Sequence, residues 1–325
     1  MALPTSGPLS LDDIAGEFGG TTPHSLSEYY GVAAGIPTSG TISISDFYGA
    51  SAFTPYDLSL FNNSVVHNQL FFYSYAPYSI QVTNSGSYLI VQPSNISNGL
   101  EILSTNTPYT FNSSTVSTVG TLSGLPSSPA FGLNWFRYNS TGTLLWVSDG
   151  AYQYRTYSTS VPFSTNSANY TLISSATFPL YAGGYYYSSP NLVDNGINMI
   201  ATTRASYVNL AHSIDFGSSF DVSSYTFKSN FNMNPVVTGN YDMQVRYSPD
   251  GKRFYTWRSL SGSTYQYVMS TPFDVSTSTY EYTFTGVYPV GNSERDHDFN
   301  AAGDKFYLVQ IDPMAGYYVM NELRP

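Results

Sequence analysis

The densest run of chemistry-bearing side chains in this sequence is Glu294-Arg295-Asp296-His297-Asp298. Carboxylates alternating around a histidine can hold a cation or accept hydrogen bonds from a polar ligand; the plainer role is a solvated loop whose charges pair with one another. Aromatic side chains are the second candidates. Tyr185-Tyr186-Tyr187 and Trp257 fall outside the columns that the hydrophobic pattern assigns to a core, and exposed Tyr and Trp give flat surfaces that stack on sugar faces or protein partners. In a chain with 31 Tyr and 20 Phe, packing between neighbouring elements is the competing explanation. There is no Gly-x-Ser-x-Gly elbow, P-loop, His-Glu-x-x-His or EF-hand loop.

These residues are positioned by a repeat. Tyr247-Ser248-Pro249-Asp250-Gly251-Lys252-Arg253-Phe254-Tyr255 reads as strand, Asp-Gly turn of type I′, and strand. Gly86, Gly142, Gly196 and Gly303 sit in the same context, at spacings of 52 to 56 residues. Four residues before each glycine stand Val82, Tyr138, Leu192, Tyr247 and Phe299; three after it come Leu89, Leu145, Met199, Phe254 and Phe306. Two further apolar columns follow directly, and three in a row predict a strand covered on both faces, since a half-exposed strand would alternate. A second marker runs in phase: Pro55-Tyr56, Pro108-Tyr109, Pro162-Phe163, Ser219-Phe220 and Pro272-Phe273. The chain meets the second marker before the first and ends on the first, so it opens with the end of one repeat and closes with the start of another. A ring uses that offset by pairing an N-terminal strand into the last unit. Residues 51–325 supply about 55 residues per unit, enough for four strands and long loops. The expected fold is all-β: a five-bladed β-propeller closed by an N-terminal strand, here assigned to Tyr56–Phe61, and preceded by a small irregular segment with short helical turns.

The repeat also tests the carboxylates. A glycosidase propeller needs two or three acidic residues converging on one funnel. Asp194, Asp242 and Asp298 stand at −2, −9 and −5 from their turn glycines, which argues against a shared catalytic plane. Ser248-Pro249-Asp250-Gly251 is similar to the Asp-box of sialidase propellers, but the residue between Asp and Gly is missing and the trailing aromatic is displaced; a hairpin turn explains it better. The chain is therefore expected to be no enzyme and to use no cofactor.

Composition narrows the partners. With 11 basic against 21 acidic residues the net charge is −10, which repels a phosphate backbone, and only 10% of residues are charged. Neither nucleic acid nor membrane insertion is expected: no run of 18 apolar residues occurs, and Met1-Ala2-Leu3-Pro4-Thr5 lacks the basic and apolar regions of an export signal. Cysteine is absent, so disulfides and thiolate metal sites are excluded.

The first fifty residues follow another pattern. Ser10-Leu11-Asp12-Asp13-Ile14-Ala15-Gly16, Ser25-Leu26-Ser27-Glu28-Tyr29-Tyr30-Gly31 and Ser43-Ile44-Ser45-Asp46-Phe47-Tyr48-Gly49 repeat one phrase: a capping Ser, a carboxylate three residues on, one or two large side chains and a glycine stop. Helices this short are marginal alone. Ile14, Phe18, Tyr29, Tyr30, Phe47 and Tyr48 are therefore expected to need another surface, either the propeller or, preferably, a partner protein. Gly49-Ala50-Ser51-Ala52 has linker composition, dividing the chain into residues 1–50 and 51–325.

The opening Pro-Thr-Ser-Gly and Ser-x-Ser-Asp-Phe-Tyr-Gly phrases resemble the N-terminal segment of many bacteriophage virion structural proteins, especially marine and cyanobacterial ones. The stretch from Ser248-Pro249-Asp250-Gly251-Lys252 to Ser270-Thr271-Pro272-Phe273-Asp274-Val275-Ser276-Thr277 resembles propeller repeats of the same viruses; the third repeat keeps only Asn195-Gly196 and Ser219-Phe220. The resemblance implies a virion component, a tail fibre or capsid appendage, docked through its N-terminal segment on other virion proteins, with a propeller projecting outward toward host-surface glycans. A soluble propeller lectin is the alternative.

Overall fold

In the computed structural model of the chain the described residues are all except 1–2, 34–35, 38, 51–54, 62–65, 73–76, 94–98, 126–132, 150–152, 178–186, 194, 206–207, 234–242, 259–262, 286–295 and 312–317. The chain divides into two compact units, Met1–Asp57 and Leu58–Pro325. No helix among the described residues is long and apolar enough to cross a membrane.

The larger unit is a five-bladed β-propeller of antiparallel four-stranded sheets. Strand β1 (Asn68–Phe72) belongs to the last blade. The first blade is β2 (Pro77–Val82), β3 (Tyr88–Pro93), β4 (Leu100–Thr105) and β5 (Val116–Leu122); the second is β6 (Leu133–Tyr138), β7 (Leu144–Asp149), β8 (Gln153–Thr159) and β9 (Tyr170–Thr177). The third is β10 (Tyr187–Leu192), β11 (Asn198–Ala205), β12 (Val208–Phe216) and β13 (Tyr225–Asn232); the fourth is β14 (Met243–Tyr247), β15 (Arg253–Arg258), β16 (Ser263–Met269) and β17 (Ser278–Thr285). The fifth combines β18 (Asp296–Phe299), β19 (Phe306–Ile311) and β20 (Tyr318–Leu323) with β1, which pairs Leu70 with Met320. The first strands neighbour one another at β2–β6, β6–β10, β10–β14 and β18–β2, and side-chain ion pairs join β14 to β18, so the ring is closed around them.

The core lies in the wedges between blades. Ile90, Leu100 and Ile102 of the first blade pack with Phe136, Leu145 and Val147 of the second, whereas Leu89 and Val91 turn the other way, toward Tyr307 and Val309 of the fifth. This is why the second strand of each blade carries three apolar columns: consecutive side chains enter wedges on opposite sides of the sheet.

The two sequence markers are two halves of one contact. Tyr56, Tyr109, Phe163, Phe220 and Phe273 are the only non-glycine residues with left-handed backbone among the described residues, at φ 50 to 64. The N–H groups of the last four donate to the carbonyls of Gly86, Gly142, Gly196 and Gly251 at 2.7 to 3.1 Å, and the rings lie across those glycines. A Cβ there would meet ring carbons at 2.5, 2.4, 1.9 and 2.4 Å. The glycine is thus required twice, for φ near +70 and for the space its missing side chain leaves.

Two local expectations are corrected. The Asp-Gly turn is not type I′, because Gly251 alone has positive φ. Ser248 and Arg253 close a four-residue loop (Ser248 N to Arg253 O 2.9 Å) in which Pro249 occupies the second position of a turn sealed by Gly251 N to Ser248 O, also 2.9 Å. Nor is Tyr56–Phe61 the closing strand. Leu58–Leu60 is a single 3-10 turn, with Leu58 fully buried, and the strand follows at β1. The same turn precedes the outer strand in other blades, at Val222–Ser224 and Val275–Thr277, where Asp221 and Asp274 cap it. Leu58 and Phe61 anchor this turn and do not alternate along a strand; Phe61 packs edge-on against Phe299 and Phe306.

Candidate functional site

The Asp296–Asp298 segment forms β18, the innermost strand of the fifth blade, and all three side chains are buried. An inner strand has no neighbour on its axial edge, so its N–H and C=O groups there must be satisfied some other way. The two carboxylates do this for the next blade. Asp296 Oδ2 accepts from Ile80 N at 2.7 Å and Ser79 Oγ at 3.1 Å, and Asp298 Oδ2 accepts from Val82 N at 2.9 Å. Gln81 repeats the device one blade further: its amide donates to Tyr138 O at 2.8 Å and accepts from Tyr138 N at 2.7 Å.

Arginines balance the charge. Arg246, on β14, reaches Asp296 Oδ2 at 3.0 Å and Asp298 Oδ1 at 2.8 Å and donates to Ile80 O at 3.2 Å; Arg137, on β6, reaches Asp298 Oδ2 at 3.2 Å. Two guanidinium groups therefore meet two carboxylates, and the network ties together the inner strands of the first, second, fourth and fifth blades. Burial pushes the Asp296 carboxyl up from its ordinary value, and the Arg246 guanidinium pulls it back. The expected cation or ligand site at Asp296 is thus occupied by the protein's own groups: these carboxylates close the ring.

His297 points to the opposite face, as alternation along a strand requires. It sits among Trp257, Phe306, Tyr255 and Phe299, with ring centroids 4.1, 5.1, 5.6 and 6.2 Å away. Burial first, and Arg246 second, hold its pKa well below the ordinary range, so the imidazole is neutral. Trp257 is 1% exposed and offers no stacking face to solvent. Its place beyond the apolar columns lands in the wedge between the fourth and fifth blades, not on the surface. Tyr185, Tyr186, Asp194, Asp242, Glu294 and Arg295 lie outside the described residues, and Tyr187 begins β10.

Sequence reasoning missed Gln81, Arg137 and Arg246, although the signal was available. Five residues before the turn glycines stand Gln81, Arg137, Asn191, Arg246 and Asp298, all buried, and each pairs with the residue four after its glycine: Ile90, Trp146, Ile200, Tyr255 and Tyr307. An unbroken polar column inside an apolar repeat marks the ring's axis. Aligning carboxylates alone concealed it.

The N-terminal unit corrects a second expectation. Its three phrases do not wait for another surface. Leu11–Phe18 forms helix α1, running past Gly16 to stop at Gly19, and Leu26–Tyr29 and Ile44–Phe47 form single 3-10 turns. Asp13, Glu28 and Asp46 accept the N–H groups of Ser10, Ser25 and Ser43 at 2.8 to 2.9 Å. Ile14, Tyr29 and Phe47 are at most 2% exposed and build a shared core with Leu3, Ile36 and Ala50; part-buried Phe18 adds its ring 6.1 Å from Phe47. Each turn is too short for a core, but three turns facing one another make one. Leu3 N to Ala50 O at 2.8 Å and Gly49 N to Pro4 O at 3.0 Å bring the two ends together, so Gly49 and Ala50 belong to the unit and are not linker. Of the six expected docking residues, only Tyr48 is exposed, at 38%; Tyr30 is half-buried, its hydroxyl donating to Gly40 O.

No protein-family model matches the sequence. No curated protein matches it either. Among solved structures, the chain is similar to the β-propeller domain of Cps50 (Swd1) from Myceliophteria thermophila, at 9% identity and a TM-score of 0.46, covering 80% of this chain and 99% of that one. It is also similar to a protein from Lactobacillus plantarum, at 11% identity and a TM-score of 0.41, covering 76% of this chain and 70% of that one.

Proposed function

We propose that this protein is a non-enzymatic structural component of a phage particle, attached to other virion proteins by its N-terminal unit and presenting the propeller outward. One observation carries the reading: the first fifty residues, whose phrases resemble virion attachment segments, have a hydrophobic core of their own and so fit the role of a transferable module. Exposed Val32 and Tyr48, at 36% and 38%, are the apolar groups such a module has left for a partner. The neutralised carboxylates of the inner strands agree with a role other than catalysis. The test is co-sedimentation of full-length protein with purified particles of the phage that encodes it. Wild-type protein is expected to sediment with particles, and Val32→Asp/Tyr48→Ala to stay behind with its folding intact. Equal recovery of the two proteins, or no recovery of wild type, refutes the attachment role.

A further inference from the structure

The outer strands β9, β13 and β17 each meet the 3-10 turn of the next blade, and two of these junctions can be compared residue by residue. Between the third and fourth blades, Ser229 of β13 donates to Asp274 Oδ1 at 2.6 Å, so the capping carboxylate is engaged across the wedge. Between the second and third, the corresponding Ser174 of β9 turns instead to backbone, at 3.3 Å from both Phe220 O and Val222 N. Asp221, the counterpart of Asp274, accepts only from its own turn, from Ser223 N and Oγ and from Ser218 Oγ. Those bonds hold its carboxyl below the usual range, so it is anionic at neutral pH. The junction has opened into a groove of about 490 Å³, lined by Ile173, Ser174, Ser175, Ser219, Asp221 and Ser223 among others. Ile173 is the extra residue of a bulge in β9, opposite Thr156 and Tyr157, and is 52% exposed.

We propose that this groove is a binding site for an uncharged saccharide. An anionic acceptor ringed by serine hydroxyls takes a ligand rich in O–H donors, and the exposed Ile173 side chain beside it supplies an aliphatic ledge for the C–H face of a sugar ring. The volume is within the roughly 300–1,000 Å³ of small-ligand sites. Among the described residues no cationic side chain lines the groove, which disfavours an anionic ligand. This goes beyond the particle role and stands or falls separately from it, because its readout uses the isolated full-length protein. The experiment is an array of neutral hexose and N-acetylhexosamine oligosaccharides, probed with wild type, Ser175→Trp, Asp221→Ala and, as a control in the sister junction, Asp274→Asn. Ser175 is exposed on the outer strand, so the tryptophan fills the groove without entering the core. Retention of at least one oligosaccharide is expected, weakened tenfold or more by Ser175→Trp and by Asp221→Ala and unchanged in Asp274→Asn. An array blank for wild type, or retention that Ser175→Trp leaves intact, overturns the proposal.

Discussion

At the scale of single residues, the molecule depends on side chains that resolve a backbone problem. Gly251 is the clearest case. Replacing it with Ala places a Cβ 2.4 Å from the Phe273 ring and forces a side chain into a left-handed backbone. The strained φ costs about 1–2 kcal/mol and the collision about 1–3 more, so denaturant unfolding should show a loss of roughly 2–5 kcal/mol. Adding Phe273→Ala should restore less than the collision part, because the ring's own burial goes with it. Arg246 presents the electrostatic counterpart. Arg246→Met leaves Asp296 and Asp298 buried with Arg137 as the one counter-ion among the described residues, and the expected loss is about 3–5 kcal/mol. The double change Arg246→Met/Asp296→Asn should recover most of that in the same measurement, since Arg137 then balances Asp298 and the amide oxygen can still accept from the Ile80 N–H.

At the scale of elements, three short turns make a core that none could make alone. Phe47→Ala removes a fully buried ring at a typical cost of about 3–5 kcal/mol, comparable to all that a fifty-residue unit has. Calorimetry of the full chain should therefore lose the N-terminal transition while the propeller's remains. The repeat, the blade number and the doubly covered second strands were legible in the sequence, because Gly and the apolar columns report directly on local backbone and burial. The closing strand was not. Asn68-Gln69-Leu70-Phe71-Phe72 carries no turn glycine or proline pair, and its partner β20 lies about 250 residues away, so nothing local marks it. The third repeat looked degenerate for a comparable reason. Thr83, Asn139, Ser248 and Asn300 cap their hairpins from three residues before the glycine; Val193 cannot, and Asn195 does so from one residue before it, accepting from Ile197 N at 2.8 Å. The candidate site was half legible: Asp296 and His297 stood out by composition, while the arginines that decide their role come from other repeats.

For the whole molecule, stability should fall on mild acidification. Burial holds His212 down to about 4 and His297 well below its ordinary value, whereas in the unfolded chain both titrate near 6.5. Below that pH the unfolded state binds two protons that the folded state refuses, so the contribution is complete above pH 6.5 and is lost as pH falls. Between pH 6.5 and 5 the His212 part of the loss should be about 1.5 kcal/mol and should disappear in His212→Gln, while His297 adds a loss of the same sign that His297→Gln removes; Asp296, pushed up by burial, works in the opposite direction. The ring closure also sets a clock. Asn68 and Glu322, bonded across the closing pair, are 254 residues apart. At about 5–20 residues per second of synthesis, β1 spends roughly 13–50 s on the ribosome before its partner exists. Throughout that interval Leu70 and Phe72, later buried, belong to a strand with nothing to pair with. Aggregation during biosynthesis should therefore be most sensitive to this five-residue strand, and a polar change at half-buried Phe71 should raise the yield of intact protein more than it lowers its stability.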